Sequence, residues 1–221
     1  MNEIIWVLRE QRSGGTWFVE KCCEVLKRES YFFEQISEYN KLPMVRRKHC
    51  FLNRVQETKD NERILNTHDF YAVESLHNYT NPKIFRITRR DKTEQFLSLY
   101  LANLTKKSLN VVKYYNVYDK DTLDKLPKYN NLIVEKSAVI QFLDRQKIMN
   151  DYWNRVASNF ECELVYYEDL LQTYHSKLLD LSFNMQEESL NLPIKLPYNK
   201  REIFINYDKV NDLINNHVTA R

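Results

Sequence analysis

Apolar residues fall into short blocks separated by polar stretches, and their period changes from block to block. Ile4-Ile5-Trp6-Val7-Leu8 is nearly continuous, as a strand buried on both faces of a parallel sheet should be. From Thr16 to about Arg28 the repeat turns helical. At ~100° per residue, Phe18, Val19, Cys22, Cys23, Val25 and Leu26 share one arc, and Glu20, Lys21, Glu24, Lys27 and Arg28 the other. Trp17 falls on the polar arc. An aromatic there either stacks on a ligand or is covered by another part of the chain.

Further along, Tyr31-Phe32-Phe33-Glu34 reads as a strand or a turn into one. Residues 37–62 are polar and predict loops with a short helix. Glu62 to Phe70 predicts a short strand ending in a polar turn, and Ala72 to Tyr79 a short helix. After the turn signal Asn81-Pro82, Lys83 to Thr88 alternates as a strand does. Arg89-Arg90-Asp91-Lys92 leads into a helix whose stripe is Phe96, Leu97, Tyr100, Leu101 and Leu104, with Ser98 on its polar side. Asn131 to Phe160 predicts one long helix or two, with Ile140, Leu143, Ile148, Tyr152, Trp153, Val156 and Phe160 as its apolar positions. Glu163 to Tyr166 is a further strand, Tyr167 opens another helix, and Ile203 to Ile214 predicts a terminal one. Strands alternating with helices indicate an α/β fold: one domain over residues 1–221, with a mainly parallel central sheet flanked by helices.

Between the first strand and the first helix stand Gly14 and Gly15, the only two glycines of 221 residues, where an average chain has about 7%. A chain so poor in glycine keeps it where another residue would fail. Strand, glycine turn and helix together make an anion site, because the first N–H groups of the helix are unpaired and its dipole is positive there. Arg12 adds a fixed positive charge and Thr16 a hydroxyl. The glycine spacing and the Lys-Ser/Thr pair of a Walker A loop are absent.

Composition narrows the field only slightly. The hydrophobic fraction is 43% and the charged fraction 29%, as in soluble globular proteins. No apolar run approaches the ~20 residues of a membrane span, and the N-terminal residues lack signal-peptide features, so a cytoplasmic protein is expected. Cys22, Cys23, Cys50 and Cys162 show no zinc spacing and read as buried thiols. A net charge of +3 is too mild to argue for nucleic acid. The basic clusters at Arg46-Arg47-Lys48, Arg86, Arg89-Arg90 and Lys195–Arg201 read first as solvated faces.

Three separated stretches, in order, resemble the sulfotransferases. Arg12-Ser13-Gly14-Gly15-Thr16-Trp17 is similar to their 5′-phosphosulfate loop. Arg90, with Ser98 eight residues on, resembles their 3′-phosphate motif, in wording closest to the bacterial trehalose-sulfotransferase branch. Tyr167-Glu168-Asp169-Leu170 resembles the segment near the end of their last core strand. More weakly, Asn66-Thr67-His68 resembles a Lys-Thr-His segment whose histidine acts as base, with asparagine replacing the lysine. The resemblance covers roughly residues 3–35 and 60–172, and the glycine-rich C-terminal segment of the cytosolic enzymes is missing.

The resemblance implies a P-loop-like sulfotransferase architecture and 3′-phosphoadenosine 5′-phosphosulfate (PAPS) as donor, with no metal. It implies that Arg12, Ser13, Gly14, Gly15, Thr16 and Trp17 bind the 5′ end of the donor, Trp17 stacking on adenine, and that Arg90 and Ser98 read the 3′-phosphate. Lys195, Lys200 or Arg201 would stand in for the missing C-terminal segment. An acceptor hydroxyl needs a base: His68 is the first candidate and Glu34 the second, each with a structural role as its alternative. The acceptor itself, a carbohydrate or small molecule, is not legible, nor is the oligomeric state. The competing functions are a non-catalytic nucleotide- or glycan-binding module and a P-loop nucleotide kinase. The kinase would need a Walker lysine and a magnesium-binding acid, and neither stands out in the sequence.

Overall fold

A computed structural model of the chain describes residues 5–26, 29–32, 63–67, 82–108, 127–170 and 198–219. They include the strands β1 (Ile5–Arg9), β2 (Glu29–Phe32), β3 (Arg63–Thr67), β4 (Lys83–Thr88) and β5 (Cys162–Tyr166). The helices are α1 (Gly15–Leu26), α2 (Lys92–Ser108), α3 (Lys136–Ala157), α4 (Lys200–Ile203) and α5 (Tyr207–Thr219). The fold is α/β. The chain groups into two compact units, Met1–Arg90 with Met149–Asn191 and Asp91–Ile148 with Leu192–Arg221.

The first unit holds the sheet. Among the described residues its five strands run in the order β2-β3-β1-β4-β5, and every pairing between them is parallel. β1 lies between β3 and β4: Ile5 stands opposite Ile64 on one side and Lys83 on the other. This placement explains the unbroken apolar run, since both faces and both edges of β1 are covered. Alternation sends Ile5 and Val7 to one face, where they join Phe18, Val19 and Cys22 of α1, with Phe85, Ile87 and Val165, in a single core. Phe18 meets Phe85 at 5.4 Å between ring centres. Burying each such ring contributes about 1.5–3 kcal/mol. On the opposite face, Arg86 of β4 donates to Asn150 Oδ1 and Asn154 Oδ1, both at 2.6 Å, and lies over the Trp153 ring.

The second unit has its own core, in which Phe96, Leu97 and Leu101 of α2 meet Phe142, Leu143, Phe204, Val210 and Ile214. The expected terminal helix differs from the observed one. α4 ends at Ile203, Phe204 forms an isolated bridge with Leu132, and α5 begins only at Tyr207. Asn206 enforces the break: its side chain accepts from the Val134 N–H and donates to the Val134 carbonyl, so it copies a peptide group instead of continuing a helix.

Two helical readings need correction. Ile140 and Ile148, expected in the apolar stripe of α3, are exposed, whereas Leu143 and Trp153 of the same stripe are buried. Ser98, expected on a polar face, is buried together with Gln95, Thr93 and Thr105. α2 is therefore covered on more sides than a one-faced helix, and small polar residues share its interior.

Candidate anion-binding site at the carboxyl end of the sheet

The glycine turn sits where β1 ends. The ladder extends one residue past Arg9, with the Glu10 N–H donating to the Ile87 carbonyl. The chain then turns: the Glu10 carbonyl accepts both the Ser13 N–H and the Ser13 hydroxyl, at 3.3 and 2.7 Å. Arg12 and Gly14 take left-handed backbone angles, φ 61° and 75°. For arginine that conformation costs on the order of 1 kcal/mol. The bond from the Phe18 N–H to the Gly14 carbonyl belongs to the first helical turn, and the N–H groups of Gly14, Gly15 and Thr16 precede it at the helix start. The Ser13 N–H, expected to join them at the anion, is used by the turn.

Both glycines are required by close approach. A Cβ on Gly14 would stand 2.7 Å from Cε2 of Tyr167, and one on Gly15 would stand 2.5 Å from Cβ and 2.6 Å from Cδ of Arg9. Tyr167 belongs to the Tyr-Glu-Asp-Leu segment, whereas Arg9 was not singled out in the sequence. Arg9 continues the Ile5, Val7 face of β1. Its side chain is 8% exposed, and its Nη1 donates to Thr16 Oγ1 at 2.7 Å. A charged pair, Arg9-Glu10, closing an apolar strand directly before a glycine turn was the signal available.

Beside the turn, the carboxyl ends of β4 and β5 lie together, with Thr88 opposite Tyr166. Residues 167–170 are helical, as expected. Two guanidinium groups lie over two successive tyrosines: Arg90 is 4.0 Å from the Tyr166 ring centre and Arg89 4.9 Å from that of Tyr167. Each also meets an acid. Arg90 pairs fork to fork with Asp169, Nη2 standing 2.6 Å from Oδ2, and Arg89 Nε lies 3.7 Å from Glu168 Oε1. The hydrogen bonds from Arg90 hold the Asp169 carboxyl below its ordinary range, and the same bonds raise the guanidinium further. Arg90 is still 52% exposed, so half of its surface remains open to a second anion.

Tyr167 therefore joins the pieces. One side of its ring touches Gly14, and Arg89 lies over it. The glycine turn, the basic pair after β4 and the Tyr-Glu-Asp-Leu segment, distant in sequence, meet at this residue.

The remaining candidates fall elsewhere. Trp17 is 5% exposed and packs in the core with Phe18 and Val19. Three consecutive buried residues mean that the start of α1 is covered on more than one face, which a single-arc reading cannot anticipate. Of its two alternatives, cover by the chain is the one observed. Ser98 belongs to α2, in the second unit. Lys200 Nζ is held by Glu94 Oε2 at 2.6 Å, and Arg201 lies over Tyr207. His68, Glu34 and Lys195 lie outside the described residues. Among the described residues, no group of three His, Cys, Asp or Glu side chains could hold a metal ion, and no helix is long and apolar enough to cross a membrane.

A scan of protein-family models finds no match to the chain, and neither does a search of curated proteins. Among solved structures, similarity extends to the crystal structure of an uncharacterized protein from Eubacterium ventriosum. It aligns with a TM-score of 0.40 and 14% identity, over 81% of this chain and 99% of that one.

Proposed function

We propose that the protein is a sulfotransferase that moves a sulfuryl group from PAPS to an acceptor hydroxyl of a carbohydrate or small molecule, on a P-loop-like fold in the cytoplasm. The observation that carries this reading is the meeting at Tyr167 of the glycine turn after β1 and the arginine pair after β4. These are the strands between which the connections diverge: β1 leads towards β2, and β4 towards β5. In open parallel sheets the ligand crevice lies outside the carboxyl ends of such a pair. Two sources of positive potential converge there, the start of α1 and the guanidinium groups.

PAPS, when bound, supplies an activated sulfuryl group on a phosphate leaving group. The N–H groups from Gly14 to Thr16 hold the 5′-phosphate, and the absence of side chains at Gly14 and Gly15 lets the backbone approach it. Arg12 offsets the charge that grows on the leaving oxygen. Arg90 binds the 3′-phosphate by sharing or exchanging its present carboxylate partner. His68, with Glu34 as the alternative, takes the proton of the acceptor hydroxyl.

Titration calorimetry with adenosine 3′,5′-bisphosphate against ATP tests the reading. Tighter binding of the bisphosphate, lost in Arg90→Ala, is expected. A preference for ATP with magnesium would replace it with the nucleotide-kinase reading. Binding of bisphosphate with no sulfuryl transfer to any acceptor would leave a non-catalytic nucleotide-binding module.

A further inference from the structure

The glycine turn carries two hydroxyl groups, and the structure gives them opposite duties. Ser13 is fully buried, and its proton is donated to the Glu10 carbonyl at 2.7 Å. Thr16 is half-buried at the mouth of the turn, and its oxygen accepts from Arg9 Nη1 at 2.7 Å. A guanidinium only donates. It therefore occupies a lone pair of Thr16 Oγ1 and turns the single O–H away from itself. We infer that Arg9 is a positioning residue that makes Thr16 the donor hydroxyl of the turn, aimed at an anionic oxygen of the ligand.

Arg9 is built for this duty. Its side chain fills the space that a Cβ on Gly15 would need, so glycine at 15 is what lets the guanidinium lie under the first turn of α1. Its charge is also felt at the exposed Glu20, one turn along the helix from Thr16, where partial desolvation and Glu24 raise the carboxyl pKa while Lys21 and Arg9 pull it down. A cation beneath the positive end of a helix is electrostatically adverse, and a bound anion relieves both charges. An arginine in this place thus polarises the Thr16 hydroxyl and strengthens its donation. The inference rests on the reading that an anion of the donor lies at this turn, and it adds a residue and a direction to that site.

A double-mutant cycle on adenosine 3′,5′-bisphosphate affinity tests it, with the fold of each variant checked by circular dichroism. Thr16→Val and Arg9→Met are each expected to weaken binding about tenfold, and the double variant no more than either alone. Thr16→Ser and Arg9→Lys, which keep the acceptor and a donor-only partner, should stay within about threefold of the wild type. Additive losses near a hundredfold, or an Arg9→Met variant that binds normally, would overturn the inference while leaving the donor reading intact. If Arg9→Met does not fold, Arg9→Gln carries the same cycle, because its amide oxygen can capture the threonine proton. If the wild type binds ATP or pyrophosphate but not the bisphosphate, the donor reading fails and the cycle is run on that anion instead. If it binds none of them, both fall.

Discussion

Arg90 and Asp169 face each other fork to fork across the ends of β4 and β5, with Nη2 2.6 Å from Oδ2. The carboxylate presents two oxygens in a plane, much as a phosphate would. It acts as an internal anion on the arginine assigned to the 3′-phosphate. Asp169→Asn should therefore tighten adenosine 3′,5′-bisphosphate binding, by roughly twofold to fivefold on the scale of an exposed pair. Because Arg90 keeps the Asp169 pKa below its ordinary value, the carboxylate stays ionised through neutrality. The ratio of the two affinities should then be flat between about pH 6 and 8. The stabilisation given by the pair is present above the ordinary aspartate range and is lost as pH falls through the lowered value. Melting curves of wild type and variant should thus converge only in acid. Weaker binding by Asp169→Asn would mean that the carboxylate holds Arg90 in place for the ligand instead of competing with it.

Gly14→Ala puts a Cβ into the Tyr167 ring at a residue whose φ is 75°. The backbone penalty alone is about 1–2 kcal/mol, and the ring must also move. A melting temperature lower by several degrees, with bisphosphate binding abolished, is the expected outcome by thermal denaturation and calorimetry. Normal binding at normal stability would show that the turn does not hold the ligand.

Arg86→Met removes two donors from Asn150 and Asn154 and the cation from over Trp153. A loss of about 1–3 kcal/mol by denaturant unfolding is expected, with bisphosphate affinity unchanged. Arg86 points to the face of the sheet away from α1, so its charge serves packing.

Burial raises the Cys22 thiol far above its usual range, and Cys162 rises for the same reason, partly offset by Arg86. Cys22 should therefore resist a maleimide at pH 8 until the chain unfolds, while the half-buried Cys23 reacts sooner. Peptide mass spectrometry after timed labelling reads this directly. Early modification of Cys22 would mean that α1 does not stay packed on the sheet.

Much of the first unit could be read from the sequence, because its signals are local. An unbroken apolar run, two glycines and a helical repeat define β1, the turn and α1 without reference to anything else. The strand expected at Lys83–Thr88 has those same ends in β4. What could not be read depends on partners far along the chain. Trp17 is buried because more than one face of the start of α1 is covered, and Ser98 because α2 is enclosed on several sides. The duty of Arg9 emerges only when its side chain is seen beneath Gly15. The end of α4 is set by Asn206, whose bonds to Val134 span a gap in sequence that no periodicity registers.

The central place of β1 has a consequence for how the protein is made. Ile5–Arg9 leaves the ribosome before either of its neighbours exists. One edge waits for Arg63–Thr67, and the other waits longer, for Lys83–Thr88. Contacts so distant in sequence form slowly, and the nascent chain carries a bare, apolar strand until they do. A chaperone that binds short hydrophobic segments would find its target here as soon as β1 emerges and lose it once β4 docks. A nascent chain halted before Lys83 would keep that target exposed.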